Sequence, residues 1–182
     1  MGSYAVFLRG INVGGINIKM ADLRDALKAS GFADARTLLA SGNVVLTSSL
    51  DATGVKREAE ECLRAAFGYE AWVVVVDGGR VAELVDACPY PEDDKSTHTY
   101  ITFSSDTAVL DELEAAGAAI EGQDQKRLGP EALAWLAPVG GTLDSPFSKV
   151  SSKSRFKAAT TTRNLRTLIK VRDAAAALEA DS

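Results

Sequence analysis

The sequence has 182 residues, of which 46% are hydrophobic and 25% are charged, and its net charge is −5. These values are typical of a globular protein and exclude a disordered chain, a collagen-like fibre and a disulfide scaffold. No apolar run approaches the roughly 20 residues of a membrane helix, and the start of the chain lacks the pattern of a signal peptide. We therefore expect a cytoplasmic protein with reduced Cys62 and Cys88 and no membrane contact.

The first half of the chain predicts the element order β-α-β-β-α-β. The predicted strands are 4–8, 35–40, 44–47 and 71–76, and the predicted helices are 20–30 and 55–67. The strands are short and rich in apolar residues, and residues 71–76 are apolar without alternation, which is typical of a strand buried on both faces. Gly42 and Asn43 predict a two-residue hairpin turn. This order is that of the ferredoxin-like fold.

The second half predicts the same order with one extra helix. A helix at 80–87 precedes a linker at 89–96, which holds two prolines and three consecutive acids. The later predicted strands are 97–103, 124–128, 132–136 and 158–161, and the later helices start near 107 and cover 145–155 and 163–178. Thr162 is the predicted N-cap of the last helix. We predict an α+β protein with two ferredoxin-like (βαββαβ) halves, 1–88 and 97–182, and an extra C-terminal helix.

Several of these segments together resemble one bacterial family. They are residues 8–15 (LRGINVGG), 41–45 (SGNVV) and 161–167 (TTRNLRT), with the spacing Met20-x-x-Leu23 between the first two. The family is the domain of unknown function number 1697, and the resemblance extends in order along nearly the whole chain. It implies an α+β fold built from two ferredoxin-like halves. It implies no known activity, substrate or cofactor.

The loop that follows the first predicted strand is the best candidate for a binding site. It holds Arg9, Gly10, Asn12, Gly14 and Gly15 between a strand and a helix. Successive backbone N–H groups in such a loop can surround an anion, with the arginine as a charged clamp. The loop lacks the Lys-Ser or Lys-Thr pair of a nucleoside triphosphate loop. The alternative interpretation is a tight loop whose glycines supply positive φ.

Two further segments offer weaker candidates for the same site. Arg163 and Asn164 open the last predicted helix, where free N–H groups and the helix dipole favour an anion. The alternative there is a capped helix with a solvated basic face. Asn43 is a binding candidate in the predicted hairpin turn, which we expect at the sheet end opposite to Arg9.

The distribution of charge is uneven along the chain. Residues 149–172 hold eight Lys and Arg and no acid, whereas the other residues hold 12 Lys and Arg against 25 Asp and Glu. Such a basic segment can bind nucleic acid or an acidic partner, or it can pair with the acidic remainder of the protein. Nucleic acid is not the favoured partner, because no run of aromatics like that of RNA-binding ferredoxin-like domains is present.

Residues for metal or covalent chemistry are scarce. His98 is the single histidine and the two cysteines are far apart in sequence, so we predict no metal and no cofactor. The leading hypothesis is a protein that binds a small anionic, phosphate-bearing ligand in a cleft between its halves. One alternative is an enzyme that uses the same pocket for transfer or hydrolysis. Another is binding of nucleic acid or an acidic partner through 149–172. The sequence does not determine the oligomeric state.

Overall fold

The computed structural model describes residues 1–12, 16–92 and 94–181, and it has an α+β architecture. The strands are β1 Gly2–Leu8, β2 Arg36–Leu38, β3 Asn43–Ser48, β4 Val73–Asp77, β5 Thr97–Ser104, β6 Gln125–Gly129, β7 Ala132–Pro138 and β8 Thr160–Asn164. The helices are α1 Met20–Ala29, α2 Ala52–Phe67, α3 Gly78–Ala87, α4 Thr107–Ala118, α5 Pro146–Ser151, α6 Ser154–Lys157 and α7 Leu165–Ala180. None of the helices in the described part of the chain combines the length and apolar character needed to cross a bilayer.

The strands form two antiparallel four-stranded sheets. Their orders are β2-β3-β1-β4 and β6-β7-β5-β8, so each half of the chain repeats one topology. In both sheets the first strand of the half lies at the centre, between the third and the fourth strand. This is the ferredoxin-like arrangement, and the prediction of two such halves with a C-terminal helix is confirmed.

The chain divides into two compact units. Unit 1 comprises Met1–Glu83 with Ile169–Ser182, and unit 2 comprises Leu84–Leu168. The sequence predicted an unbroken second half, whereas the later turns of α7 belong to unit 1. Two side-chain contacts join these turns to the rest of unit 1: the Ser3 hydroxyl donates to the Glu179 carboxylate over 2.5 Å, and Arg36 forms an ion pair with Asp181 over 2.9 Å.

The core of unit 1 lies between one face of its sheet and helices α1 and α2. β1 is the central strand, and both of its faces are buried, which is why its sequence is almost continuously apolar. Tyr4, Val6 and Leu8 pack with Leu23 and Leu63 from the two helices. This packing fixes the direction in which the chain leaves the end of β1.

The core of unit 2 is rich in aromatic side chains. Trp135 of β7 lies 4.7 Å from the ring of Phe147 of α5, and its indole N–H donates to the Thr102 hydroxyl over 3.0 Å. Phe156 of α6 and Leu110 of α4 complete the same cluster. The two short helices are therefore anchored to the sheet by one buried phenylalanine each.

Three local predictions are wrong. The predicted turn at Gly42-Asn43 is a four-residue connection at 39–42, and Asn43 already belongs to β3. The helix predicted at 145–155 is interrupted where Lys153 adopts an extended backbone (ψ 143°) between α5 and α6. Thr162 is not an N-cap, because 160–164 form a strand and the Thr162 hydroxyl lies 2.8 Å from that of Thr102. Threonine-rich segments favour strands, and pairing with β5 decides the outcome here.

Candidate functional site

The end of β1 lies between two neighbouring segments of unit 1. The Leu8 N–H donates to the Gly42 carbonyl over 2.8 Å, and the Arg9 N–H donates to the Trp72 carbonyl over 3.0 Å. The β2–β3 connection therefore flanks Arg9 on one side and the residue before β4 flanks it on the other. The expectation that this connection lies at the opposite end of the sheet is wrong. β3 runs antiparallel to β1 with Asn43 opposite Phe7, so the start of β3 meets the end of β1.

Asn12 holds the loop after β1 against the β2–β3 connection. Its side-chain amide donates to the Ala40 carbonyl over 2.6 Å and to the Ile18 carbonyl over 3.2 Å, and its Oδ1 accepts from the Ile18 N–H. Its backbone N–H donates to the Ile16 carbonyl over 2.6 Å. In this conformation the Asn12 amide is used within the protein, which gives the residue a structural role. Its predicted contact with a ligand stays a prediction.

The backbone at this point is unusual. Among the described residues, Asn12 (φ 55°) and Leu39 (φ 58°) are the only non-glycine residues with positive φ, and the hydrogen bond to Ala40 brings their segments together. A left-handed leucine is disfavoured by its side chain, so the surrounding contacts must enforce it. Such residues concentrate at binding and catalytic sites.

Residues 41–43 (Ser-Gly-Asn) hold the β2–β3 connection in place. Asn43 is fully buried, and its amide donates to the Leu38 carbonyl over 2.9 Å and to the Ser41 hydroxyl over 3.0 Å. Gly42 has a φ of 77°, and a Cβ there would lie 2.6 Å from Ile11 Cδ1 and 2.9 Å from Leu8 Cβ. Glycine is therefore required at position 42 both by conformation and by space. Asn43 supports the connection from inside, and its role as a ligand contact stays a prediction.

Arg9 is the cationic group next to the end of β1. Its side chain is partly buried, and burial lowers the pKa of its guanidinium from the usual value. Within the described residues the guanidinium has no hydrogen-bond acceptor and no carboxylate within 4.0 Å. Gly10 follows with a φ of 69°, and no described atom lies within 4 Å of the position that a Cβ would take there. The predicted site residues Gly14 and Gly15 lie outside the described residues.

Arg163 and Asn164 belong to unit 2, whereas the loop after β1 belongs to unit 1. Arg163 lies on β8 with 7% of its surface exposed, and its Nη1 donates to the Thr161 hydroxyl over 2.7 Å and to the Thr162 carbonyl over 2.9 Å. Burial lowers the pKa of Arg163 to about 10, so the group stays protonated at neutral pH. The prediction that Arg163 opens the last helix is wrong, because the residue lies in β8. Its role as a ligand contact stays a prediction.

Asn164 supplies the cap that Thr162 was expected to supply. Its Oδ1 accepts from the Arg166 N–H over 2.9 Å, directly before α7 begins at Leu165. One free N–H group of the helix start is thereby satisfied. The prediction that Arg163 and Asn164 share a ligand with Arg9 stays a prediction.

Sequence reasoning missed three features of the site in unit 1. These are Leu39 with its positive φ, Trp72 as the partner of Arg9, and Lys19, which precedes α1 without capping it by its side chain. The pairing with Trp72 could have been found, since the fourth strand of a ferredoxin-like half pairs antiparallel with the first. The left-handed leucine carries no signal in the sequence. Among the described residues, no group of three or more His, Cys, Asp and Glu is placed to hold a metal ion.

The fold and these loops define an α+β protein of two ferredoxin-like halves. The sequence profile of the family described as "Protein of unknown function (DUF1697)" matches residues 1–133, and the chain belongs to this family. In overall structure the chain is similar to the conserved bacterial protein SP0830 from Streptococcus pneumoniae. The TM-score is 0.78 at 21% sequence identity, over 96% of this chain and 98% of that one. No curated protein matches the sequence.

Proposed function

We propose that unit 1 binds a small phosphate-bearing anion at the end of β1. The observation that carries the proposal is the partly buried Arg9 guanidinium, which has no acceptor among the described residues. Removing a cation from water costs free energy unless a partner compensates it. An arginine keeps its charge at neutral pH, so an anionic ligand is the partner that would stabilise it most.

Backbone donors next to Arg9 support the same ligand class. Within the described part of the chain, the N–H groups of Gly10 and Ile11 donate to no protein acceptor. These two donors follow Arg9 directly in sequence, and the left-handed Gly10 turns the backbone between them. Consecutive N–H groups around a left-handed residue form a concave anion site.

The start of α1 adds a third contribution. α1 has ten residues, and Lys19 before it makes no side-chain capping bond. As far as the described residues show, the first N–H groups of the helix are open to an external acceptor, and the positive end of the helix dipole favours negative charge there. The exposed Lys19 side chain carries a further positive charge on the same loop.

The test is a calorimetric titration of the full chain with inorganic phosphate and with tripolyphosphate. Arg9→Gln should weaken tripolyphosphate binding by about tenfold or more, since hydrogen bonds to charged groups contribute about 1.5–3 kcal/mol. Arg9→Lys should retain part of the affinity, because the charge remains but the planar fork is lost. Arg57→Gln is the matched control: this arginine is exposed on α2 and, among the residues that the structure describes, pairs only with its neighbour Glu58.

Two results would overturn the proposal. One is the absence of binding of either anion to the wild-type protein at millimolar concentration. The other is equal affinity of the Arg9→Gln and wild-type proteins for tripolyphosphate. Thermal unfolding of each variant shows whether the variant is folded, so loss of binding is not confused with loss of structure.

A further inference from the structure

The sequence predicted a basic segment at 149–172, and four of its exposed cations lie at the two short helices of unit 2. Two others, Arg166 and Lys170, are exposed on α7. Lys149 lies in α5, Lys153 lies at the break between the helices, and Arg155 and Lys157 lie in α6. All four side chains are exposed. We call these four residues the α5–α6 basic surface. Arg163, from the same segment, is buried and does not contribute to it.

The α5–α6 basic surface rests on a rigid support. Phe147 and Phe156 project from the two helices into the core of unit 2, where they are 0% and 1% exposed. The Ser145 hydroxyl caps α5 by accepting from the Ser148 N–H over 3.2 Å. The backbone bond from Lys157 N–H to the Lys153 carbonyl, at 2.9 Å, links α6 to the break. The backbone that carries the four cations is therefore anchored to the core of unit 2.

Three of the four charges have no acidic partner in the part of unit 2 that the structure describes. Lys149, Lys153 and Lys157 have no carboxylate within 4.0 Å among the described residues of unit 2. Arg155 forms an ion pair with Glu112 of α4 at 3.3 Å, but both side chains are more than half exposed. Exposed pairs of this kind contribute at most about 1 kcal/mol. A polyanion can therefore compete with Glu112 for Arg155.

We propose that the α5–α6 basic surface binds the phosphate backbone of double-stranded nucleic acid without reading its sequence. Three lysines and an arginine, in a stretch with no acid at 145–172, can neutralise the charges of several phosphates. The aromatic rings of this region, Phe147 and Phe156, are buried. The surface therefore lacks the stacking platform on which single-stranded bases are bound. A duplex offers phosphates without requiring such a platform.

The experiment is fluorescence anisotropy of a labelled 20-base-pair duplex with the full chain. Duplex DNA, duplex RNA and the separated strands are compared at 50 and 200 mM salt. Four phosphate contacts give a slope of about −3.6 in log affinity against log salt, so duplex affinity should fall about 100-fold over this range. Both duplexes should bind more tightly than their single strands.

Two kinds of variant make the test specific. Changing Lys149, Lys153 and Lys157 together to Gln should reduce the slope to about −1 and abolish most binding at 50 mM salt. The control changes Lys28, Lys95 and Lys126 to Gln, which removes the same charge from exposed sites elsewhere and should leave binding unchanged. Glu112→Gln should strengthen binding, because it frees Arg155 and removes a negative charge.

Three outcomes would overturn the proposal. The first is equal duplex affinity of the wild type and the Lys149, Lys153 and Lys157 variant, with both folded by thermal unfolding. The second is tighter binding of single strands than of duplexes. The third is binding of polyglutamate, a negatively charged polypeptide, as tightly as the duplex and with the same dependence on the three lysines. That result would indicate an acidic protein partner instead of nucleic acid.

Discussion

The two halves of the molecule connect their first strand to their first helix in very different ways. In unit 2, β5 ends at Ser104 and α4 begins at Thr107, so two residues form the connection. Asp106 caps α4 by accepting from the N–H groups of Ala108 and Val109 over 2.9 and 3.4 Å. In unit 1, residues 9–19 connect β1 to α1. Lys19 lies directly before α1, and its side chain does not cap the helix.

The comparison shows that the topology alone does not require the long connection. Two residues are enough to join strand and helix in unit 2, with the helix start satisfied by the protein itself. The connection in unit 1 leaves a helix start and the Gly10 and Ile11 N–H groups without an acceptor among the described residues. Loops longer than the fold needs commonly carry function. The difference is therefore consistent with placing the proposed anion site in unit 1.

The largest expected effect is at Gly42, where the β2–β3 connection packs closely against Ile11 and Leu8. Gly42→Ala should lower the free energy of unfolding by about 3 kcal/mol, since it adds a left-handed side chain and overpacks Ile11 and Leu8. Gly122→Ala in unit 2 is the control: its φ is 73°, but no described atom lies within 4 Å of the new Cβ. It should cost about 1 kcal/mol. Urea unfolding measures both, and equal losses would contradict the prediction.

The next effect separates hydrogen bonding from backbone conformation at Asn12. Asn12→Ala should cost about 2 kcal/mol, because it removes the side-chain bonds to Ala40 and Ile18 and places alanine at positive φ. Asn12→Gly removes the same side-chain bonds, but glycine tolerates positive φ, so this change should lower the free energy of unfolding by less. Asn17→Ala, an exposed change in the same loop, should stay within about 0.5 kcal/mol of the wild type. Urea unfolding of the three variants tests the order, and a larger loss for Asn17→Ala would refute it.

The next effect concerns Asp106, the residue that caps α4 in unit 2. Asp106→Ala should destabilise the protein by about 1 kcal/mol, because the N–H groups of Ala108 and Val109 lose their acceptor. Asp106→Asn should cost less, since asparagine is also a good cap. Chemical denaturation of both variants checks this. Equal destabilisation by the two substitutions would show that the cap is not the source of the effect.

The smallest expected effect is a gain in stability. Lys19→Asp should stabilise the protein by about 0.5 kcal/mol, because Lys19 has the extended backbone of an N-cap (φ −70°, ψ 136°) and aspartate caps well. The same change should weaken tripolyphosphate binding, since it places a carboxylate beside the proposed anion. Lys19→Ala separates loss of the lysine from gain of the cap. Unchanged tripolyphosphate affinity in Lys19→Asp would remove α1 from the proposed site.

Much of the fold could be predicted from the sequence, because the pattern of apolar segments and glycines marks most elements. β5 and α4, for example, begin at the predicted residues 97 and 107. The errors occur where long-range pairing overrides local preference. Thr162 is a good N-cap residue in isolation, but pairing with β5 places it in a strand.

The candidate site was only partly predictable. The glycine-rich loop marks its position along the chain, and Arg9 is the charged residue within it. The partners of that loop come from 39–42 and from Trp72, and they become neighbours only through the strand order. The burial of Arg163 depends likewise on its place in β8. Neither the partners of the loop nor the burial of Arg163 can be predicted from local sequence.

The path of α7 has a consequence for synthesis on the ribosome. Residues 169–181 contribute to unit 1, where Glu179 bonds Ser3 and Asp181 pairs with Arg36. When residues 1–83 have left the exit tunnel, these contacts do not yet exist, and all of unit 2 is translated before they can form. The part of the chain made first is thus completed last, and nascent unit 1 must wait for its final helix.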